Sequence, residues 1–222
     1  MDGTVTLSRS KIDPEMKLLL DSLPQTVAVI SGSHNEQMDF QVDSLPIIKM
    51  GQNGNHVLHP ELGELWNEPL TADQKTEIMN HAKQIWSVCR HEVPDENDLF
   101  EDRGAQISLS LYGHHADPAE KKAFDGDFAK RKALLSQLPF ISETLEVPLG
   151  GSTCFDYFPP GKNKGFNIDR LINKMEWDKD ECLFFGDALF PGGNDETVIG
   201  ISETIPVEDH LDTYRKLKEM FW

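Results

Sequence analysis

Apolar residues recur in short runs at both ends of the chain, separated by segments with helical periodicity. The run at 26–31 (TVAVIS) is almost continuously apolar, which is typical of a strand buried on both faces of a parallel sheet. A helix is predicted before it, at 13–23, with Asp13 as its N-cap. A similar strand at 181–187 (ECLFFGD) and a helix at 207–221 follow later. The pattern predicts an open α/β sheet flanked by helices.

The middle of the chain has a different pattern. Thr71 and Gln74 form a capping-box signature ahead of a segment with helical periodicity. Strict alternation of apolar and polar residues then occupies 106–111 (QISLSL), and a further strand-like run occupies 154–159 (CFDYFP). Such alternation predicts an antiparallel strand with its serine face exposed to solvent.

This change of pattern sets the predicted domain boundaries. Residues 1–72 and 160–222 are expected to form a discontinuous core, and residues 73–159 an inserted α+β cap with one sheet face open. The 222 residues allow either one large domain or a core with a smaller insert, and the two patterns favour the second arrangement.

Charge and cysteine content restrict the function classes. The formal net charge of -17 argues against nucleic acid or an anionic membrane as a partner. Three widely separated cysteines favour neither a disulfide framework nor a structural zinc site, and they fit a reducing compartment. The sequence shows no leader pattern and no apolar run near the length of a membrane span. We therefore expect a soluble, cytoplasmic protein.

The segment GDALFPGGND, residues 186–195, places Asp187 and Asp195 around a Pro-Gly-Gly turn just beyond an apolar strand. Ligands of open α/β sheets bind outside the carboxyl ends of the strands, and hard carboxylate oxygens suit Mg²⁺ together with a substrate phosphate. Both residues are therefore predicted metal ligands. The alternative is an acidic turn in which Asp195 only caps a helix.

Two further elements point to phosphate. Ser31-Gly32-Ser33 ends the first apolar strand, where a hydroxyl and backbone N–H groups can hold a phosphoryl oxygen. Lys164, ahead of a helix, offers a charge that can neutralise a phosphate. Each is weak alone, since Ser-Gly-Ser is ordinary loop sequence and most loop lysines are solvated.

A fourth element is the opening segment MDGTVTLSRSK. With the three above, in this order and spacing, it resembles the haloacid dehalogenase superfamily, whose opening motif is Asp-x-Asp-Gly-Thr. The segments FFGDALFPGGND, TVTLSRSKI, EDRG and GGSTCFDYFP narrow the resemblance to the phosphomannomutase-like branch and touch nearly the whole length. The resemblance implies a Rossmann-like core with an inserted cap, bound Mg²⁺ and an aspartyl-phosphate intermediate.

The resemblance places the nucleophile just outside this sequence. The first Asp of the superfamily motif attacks phosphorus, and the second is the general acid/base. Asp2 matches the second and Met1 matches the intervening residue, so the nucleophile and the central strand leading to it are expected upstream. We expect a polypeptide of these 222 residues alone to lack aspartyl-phosphate chemistry. Either the natural protein starts earlier, which is favoured because a lost central strand would expose the sheet, or the chain is a non-catalytic relative.

The resemblance also implies substrate contacts. Arg9 maps to the arginine that follows the opening motif and touches the sugar phosphate. Arg103, in EDRG, maps to a cap arginine that grips the distal phosphate, and Lys121 falls where another cap arginine is usual. Asp156 falls where an acid binds sugar hydroxyls. The alternatives are that Arg103 is only a turn residue beside Gly104 and that Lys121 lies on a solvated helix face.

Three positions depart from the family pattern. His114 and Lys121 each replace an arginine, and Cys154 replaces a serine. Because lysine does not bind phosphate in the bidentate manner of arginine, these departures weaken the expected grip on a bisphosphate intermediate and favour simple hydrolysis. His114 with His115 could also suggest a transition-metal site, but without further ligands at suitable spacing it is interpreted as a polar strand end.

The function predicted from all of this is Mg²⁺-dependent phosphotransfer on a hexose phosphate. Asp2, Ser31 and Lys164 are the predicted catalytic residues, and Arg9, Gly32, Arg103, Lys121 and Asp156 the predicted substrate-binding residues. The reaction is either interconversion of mannose 6-phosphate and mannose 1-phosphate or release of phosphate to water. A sugar-phosphate binding protein without chemistry is the alternative from another class. Homodimerisation through the cap is left open.

Overall fold

The structure is a computed structural model that describes residues 1–221. Its helices are α1 (Pro14–Ser22), α2 (Asn35–Gln41), α3 (Ala72–Cys89), α4 (Pro118–Asp125), α5 (Ala129–Gln137), α6 (Lys164–Lys174) and α7 (His210–Phe221). Its strands are β1 (Ala28–Ile30), β2 (Ile48–Gly51), β3 (His56–His59), β4 (Gly63–Asn67), β5 (Phe100–Asp102), β6 (Ile107–Ser110), β7 (Leu149–Gly150), β8 (Cys154–Tyr157), β9 (Leu183–Gly186) and β10 (Glu203–Pro206). Short 3-10 helices occupy Gln52–Gly54, Glu96–Asp98, Lys179–Glu181 and Glu196–Val198.

The chain divides into two compact units. Residues 1–67 with 161–222 form unit 1, and residues 68–160 form unit 2. The assignment of a core at 1–72 and 160–222 and a cap at 73–159 stays a prediction. Across residues 1–221, no helix is both long and apolar enough to cross a bilayer.

Unit 1 contains the parallel strands that the sequence predicts. One sheet has the order β1-β2-β3-β4, with β1 parallel to β2 and the remaining pairs antiparallel, and a second sheet pairs β9 with β10 in parallel. The side chains of Val29 and Ile30 on β1 enter two different apolar clusters. The predicted burial on both faces is therefore confirmed for Val29 and Ile30, whereas Ala28, at the start of β1, is exposed. The strand expected before Met1 concerns residues outside the sequence and stays a prediction.

Helix α1 begins as its sequence signals indicate. The carboxylate of Asp13 accepts a hydrogen bond from the backbone N–H of Glu15, and Pro14 occupies the first turn, where its missing N–H costs nothing. Met16, Leu19 and Leu20 share the buried face, so the helical spacing of apolar residues fixes which side of α1 packs on the sheet.

Unit 2 is an antiparallel sheet with the order β5-β6-β8-β7, accompanied by α3, α4 and α5. Both hydrogen bonds of the predicted capping box between Thr71 and Gln74 are present at the start of α3. The apolar face of the sheet, including Phe155 and Tyr157 of β8, packs in a cluster with residues of α3 and α5.

The prediction that the serine face of β6 is open to solvent is wrong. Ser108 and Ser110 are both fully buried. The Ser108 hydroxyl donates to Asp156 Oδ1, and the Ser110 hydroxyl bonds to that of Thr153. Alternation identifies the two faces of a strand correctly, but it does not show whether the polar face is covered by water or by other polar side chains.

Candidate active site

A buried ion pair lies at one end of the parallel strands of unit 1. Lys164 Nζ is 2.6 Å from Asp195 Oδ1, and the two residues are only 4% and 3% exposed. The backbone N–H of Ala188, in the turn after β9, donates to Asp195 Oδ2. Burial acts to raise the pKa of Asp195, but Lys164 outweighs it, and the net pKa is lowered. Asp195 is therefore held as a carboxylate beside a fixed cation.

The start of α6 fixes the position of Lys164. Asn163 is the N-cap, and its side chain accepts a hydrogen bond from the backbone N–H of Phe166. Lys164 is the first residue of the helix. The next residue, Gly165, donates its N–H to the Thr197 hydroxyl near Asp195 in the chain, so α6 is anchored to the segment that carries the acidic partner.

Asp187 directly follows β9 and, unlike Asp195, is exposed. Its Oδ1 accepts a 2.7 Å hydrogen bond from the hydroxyl of the buried Thr4. Gly3, with φ of +77°, packs so closely that a Cβ there would lie 2.5 Å from Asp187 Oδ2. Only glycine accommodates both this backbone conformation and this close approach. The Asp-Gly-Thr segment thus orients the Asp187 carboxylate.

Asp2 is held by two donors. Its Oδ1 accepts hydrogen bonds from the backbone N–H of Arg9, at 3.2 Å, and from Gln41 Nε2, at 2.7 Å. Gln41 is fully buried at the end of α2 and also donates to the Thr6 hydroxyl. Arg9 has a left-handed backbone with φ of +53°. The carboxylate of Asp2 is therefore fixed by the N-terminal turn and by a buried amide.

The main-chain nitrogen of Met1 lies at the end of β1. That nitrogen is buried and donates a 3.2 Å hydrogen bond to the carbonyl of Ile30, at the end of β1. Burial lowers the pKa of this amino group, and the charge of Lys164 lowers it further. Three carboxylates, Asp195, Asp2 and Asp187, act in the opposite direction. The charges of three acids and one lysine therefore all act at this end of β1.

Ser31 follows Ile30 at the same strand end and is buried. Its hydroxyl oxygen accepts a 3.2 Å hydrogen bond from the N–H of Ser33, and its own N–H donates to the carbonyl of Met50 on β2. Gly32 lies between the two serines and is partly exposed. The turn holds the hydroxyl oxygen of Ser31 in place and leaves its O–H group to donate.

The predicted substrate residues of unit 2 lie on the polar face of its sheet. Arg103 Nη2 is 2.7 Å from Glu101 Oε2, and the pKa of this guanidinium is raised: burial opposes the shift, and Asp156 and Glu101 outweigh it. A Cβ on Gly150 would lie 1.8 Å from Asp156 Oδ2, so the carboxylate of Asp156 lies directly over β7 where no side chain fits.

Lys121, His114 and Cys154, the three departures from the family pattern, lie next to one another in unit 2. Lys121, on α4, donates from Nζ to the carbonyl of His114 at 3.0 Å. His114 Nδ1 lies 3.4 Å from Glu101 Oε2 and 4.0 Å from Cys154 Sγ. The structure thus groups Arg103, Lys121 and Asp156 in unit 2, separately from the acids and Lys164 of unit 1.

A family model described as eukaryotic phosphomannomutase matches residues 69–222, more than two thirds of the chain. The chain belongs to the eukaryotic phosphomannomutase family. Phosphomannomutase 1 of Dictyostelium discoideum is 29% identical over 244 residues, covering 100% of this chain and 94% of that protein. The phosphomannomutase of Triticum aestivum is 27% identical over 239 residues, covering 100% and 93%.

Solved structures place this phosphomannomutase-family chain in the haloacid dehalogenase fold. SMU.1108c from Streptococcus mutans UA159 superposes with a TM-score of 0.66 at 15% identity, covering 99% of this chain and 96% of the other. A haloacid dehalogenase-like hydrolase from Bacteroides thetaiotaomicron gives 0.62 at 12% identity, covering 99% and 97%. These likenesses confirm the predicted α/β fold class.

The donor set of the phosphomannomutase-family site fits a hard cation only in part. Within residues 1–221, no three side chains of His, Cys, Asp or Glu are grouped so as to hold a metal ion. Mg²⁺ needs only one or two carboxylates beside water and phosphate. Asp187 is exposed and oriented by Thr4, whereas both oxygens of Asp195 already accept hydrogen bonds. Asp187 is the better ligand of the two that the sequence indicates.

Several residues of the site were not among the sequence predictions. Thr4, which orients Asp187, belongs to the opening motif and could have been inferred from the Gly-Thr pair after Asp2. Glu101 belongs to the EDRG segment and could have been considered together with Arg103, which it contacts. Gln41 has no such signal, because a lone amide at a helix end is ordinary, and only its contact with Asp2 shows its importance.

Proposed function

We propose that this phosphomannomutase-family chain carries out Mg²⁺-dependent phosphoryl transfer on a hexose phosphate, interconverting mannose 6-phosphate and mannose 1-phosphate. The observation that carries the proposal is the buried ion pair of Lys164 and Asp195, on the segment that also carries Asp187, whose carboxylate Thr4 orients. A fixed cation among carboxylates at strand ends is suited to a transferring phosphoryl group.

Lys164 and Ser31 bind the phosphoryl oxygens in this proposal. Lys164 is buried and held by Asp195, so its charge acts in a low dielectric and needs little reorganisation during reaction. The oxygen of Ser31 already accepts from Ser33, which leaves the O–H group to donate to phosphate. The backbone of Gly32 lies beside it and lets a phosphoryl oxygen approach.

Asp2 handles the proton. Its Oδ1 is held by Arg9 and Gln41, so Oδ2 is the oxygen we assign to proton transfer. It would protonate the leaving hydroxyl of the sugar in the first half of the reaction and remove the proton from the attacking hydroxyl in the second.

Asp187 would hold Mg²⁺, with Thr4 fixing the orientation of its carboxylate. When bound, the ion supplies positive charge that neutralises the phosphoryl oxygens. Asp195 keeps Lys164 in place and completes the charge balance of the site.

The phosphoryl acceptor that we propose is an aspartate directly before Met1. The charges of Asp2, Asp187, Asp195 and Lys164 all act at the Met1 nitrogen, so a residue attached to it would lie within reach of the same charges. Its carboxylate oxygen would form the bond to phosphorus while the bond to the sugar oxygen breaks.

Substrate recognition is assigned to Arg9 in unit 1 and to Arg103, Lys121 and Asp156 in unit 2. Arg103 offers a buried guanidinium for a phosphate, Lys121 a second cation, and Asp156 an acceptor for sugar hydroxyls. Asp156 is prepared for that role because Ser108 holds its Oδ1.

A sugar-phosphate phosphatase is the second candidate, favoured by one feature of unit 2. Arg103 is paired with Glu101, and His114 stands where the family pattern has an arginine. Fewer guanidinium groups would then hold a bisphosphate intermediate, and water would compete with the sugar for the phosphoryl group.

Phosphorus NMR of the product mixture separates these functions. The chain is extended upstream through the proposed aspartate and incubated with mannose 1-phosphate, glucose 1,6-bisphosphate and Mg²⁺. We expect mannose 6-phosphate to accumulate, whereas stoichiometric inorganic phosphate would support the phosphatase. Ligand binding without turnover in a correctly folded extended chain would exclude both reactions and leave a sugar-phosphate binding protein.

Because the three cysteines are unpaired thiols, we assign the protein to a reducing compartment, the cytoplasm.

A further inference from the structure

Cys154, His114 and Glu101 form a cluster in unit 2 to which none of the roles above is assigned. Cys154 Sγ lies 4.0 Å from His114 Nδ1, a contact at the limit of a hydrogen bond to sulfur, and the same nitrogen lies 3.4 Å from Glu101 Oε2. His114 is almost fully buried, whereas Cys154 is partly exposed. A thiol and a carboxylate thus face the same nitrogen of one buried imidazole.

Both ring nitrogens of His114 face groups that can only accept. Nε2 lies 3.3 Å from the carbonyl oxygen of Ser108, and Nδ1 lies 3.4 Å from the Glu101 carboxylate. A hydrogen on each nitrogen satisfies both contacts, and the resulting imidazolium offers its positive charge to a thiolate at Cys154.

The charges around Cys154 favour its thiolate. Burial acts to raise the pKa of Cys154, but the hydrogen bond and charge of His114, together with the charge of Lys121, lower it despite the opposing charge of Asp156. The Arg103 guanidinium also interacts with this sulfur.

The other two thiols provide an internal comparison. Burial raises the pKa of the Cys89 thiol. Burial, followed by the charges of Asp178 and Glu181, raises the pKa of Cys182. No cation lowers the pKa of either of these thiols. An electrophile should therefore react faster with Cys154 than with Cys89 or Cys182 at neutral pH.

We propose that Cys154, paired with the His114 imidazolium, is a modification site for hydroperoxides. The thiolate sulfur attacks one peroxide oxygen, a sulfur–oxygen bond forms and the oxygen–oxygen bond breaks. The leaving oxygen takes the proton held by the His114 imidazolium and departs as water or an alcohol. The sulfur is oxidised by two electrons to a sulfenic acid, and the peroxide is reduced.

Oxidation of Cys154 would weaken the binding of a sugar phosphate. Cys154 and Asp156 lie on the same face of β8, and the charges of Arg103 and Lys121 act on the sulfur. A sulfenic acid there adds an oxygen beside the residues that we assign to the substrate. This consequence rests on the proposed function, whereas the reactivity of the thiol does not.

Alkylation with iodoacetamide, followed by peptide mass spectrometry of all three cysteines between pH 6 and 9, tests the reactivity. At pH 7 we expect Cys154 to react on the order of tenfold faster than Cys89 and Cys182, with its rate levelling off at a lower pH. His114→Asn should remove this advantage. Equal rates and parallel pH profiles for the three wild-type cysteines would overturn the proposal, and this profile needs no variant to fold.

The functional consequence is tested by measuring mannose 6-phosphate binding before and after treatment with hydrogen peroxide. Wild type and Cys89→Ser should lose affinity about tenfold or more on oxidation, since a displaced charged contact costs this much, whereas Cys154→Ser should be unaffected by peroxide. Unchanged affinity in a protein whose Cys154 is shown to be oxidised would contradict the regulatory effect. Failure of the untreated protein to bind mannose 6-phosphate would contradict the proposed function instead. The alkylation profile would still test the reactivity of the Cys154 thiol.

Discussion

Lys164 and Asp195 show how one buried contact connects stability with the proposed chemistry. Their side chains are 5% and 4% exposed and bonded at 2.6 Å. A buried pair of this kind is retained at a desolvation cost that apolar residues would avoid. The position of the pair beside Asp2 and Asp187 gives a functional reason for that cost.

Replacing Lys164 with Met should destabilise the protein strongly. The substitution leaves the Asp195 carboxylate buried without its cation, which costs about 3–5 kcal/mol. Urea unfolding at pH 7 measures the change. Lys11→Met is the matched control, because its 2.8 Å ion pair with Asp43 is exposed and should contribute little to the free energy of unfolding. Equal losses in the two variants would refute the special role of the buried pair.

Asp43 provides a prediction for pH. Hydrogen bonds from Lys11 and Lys17, which flank the start of α1, lower its pKa to about 2. A carboxyl group whose folded pKa is depressed contributes stability above its unfolded pKa and loses that contribution as the pH falls through the folded value. Carbon NMR titration should place the midpoint of Asp43 near 2, and Lys11→Gln with Lys17→Gln should move it toward 3.8. A wild-type midpoint near 3.8 would show that these ion pairs do not form in solution.

At the scale of elements, the turn before β8 and the helices α4 and α5 are joined by one side chain. Arg131 is fully buried and donates to Asp125 Oδ2, to the carbonyl of Asp125 and to the carbonyls of Gly150, Gly151 and Cys154. This one guanidinium therefore holds the loop that leads into the strand of Asp156.

Arg131→Lys should cost stability although the charge is kept. Lysine offers a point charge in place of the planar fork, and several buried carbonyls would lose their donor, which we expect to cost about 3 kcal/mol. Urea unfolding measures the loss, and hydrogen exchange should localise loosening to 150–157. Arg215→Lys, on the exposed side of α7, should change stability by no more than about 0.5 kcal/mol. A comparably small effect at Arg131 would contradict its anchoring role.

Gly150 tests the placement of Asp156 directly. An alanine Cβ would lie 1.8 Å from Asp156 Oδ2, so Gly150→Ala must displace that carboxylate. We expect KM for the hexose phosphate to rise about tenfold and stability to fall by about 1–3 kcal/mol. Asp156→Ala in the same chain removes the clash and should restore most of the lost stability, as a double-mutant cycle measures. Additive losses would show that the two residues are not in contact.

The sequence predicted local features such as helix caps better than it predicted which residues surround a given side chain. Asp13 and Thr71 cap their helices as expected because capping depends on residues only a few positions away. The burial of Ser108 could not be predicted, since its partner Asp156 is distant in the chain. The same reason explains why Asp2 was identified from its motif but Gln41, which holds it, was not.

At the scale of the whole molecule, the net charge opposes the binding of the substrate that we propose. The net charge of -17 repels an anionic sugar phosphate. Lys164, Arg103 and Lys121 are local exceptions, and a divalent cation at Asp187 would add a further one. The motifs identified the family because they are spread over the whole chain, whereas composition alone restricted only the class of partner.

The Mg²⁺ dependence of phosphoryl transfer tests the central claim most directly. Initial rates from mannose 1-phosphate are measured against Mg²⁺ concentration in the chain extended through the proposed aspartate, for wild type, Asp187→Asn and the exposed control Asp178→Asn. We expect a saturable requirement for Mg²⁺, a loss on the order of 100-fold in Asp187→Asn and none in Asp178→Asn. Transfer that is independent of Mg²⁺, or unaffected by Asp187→Asn, would contradict it.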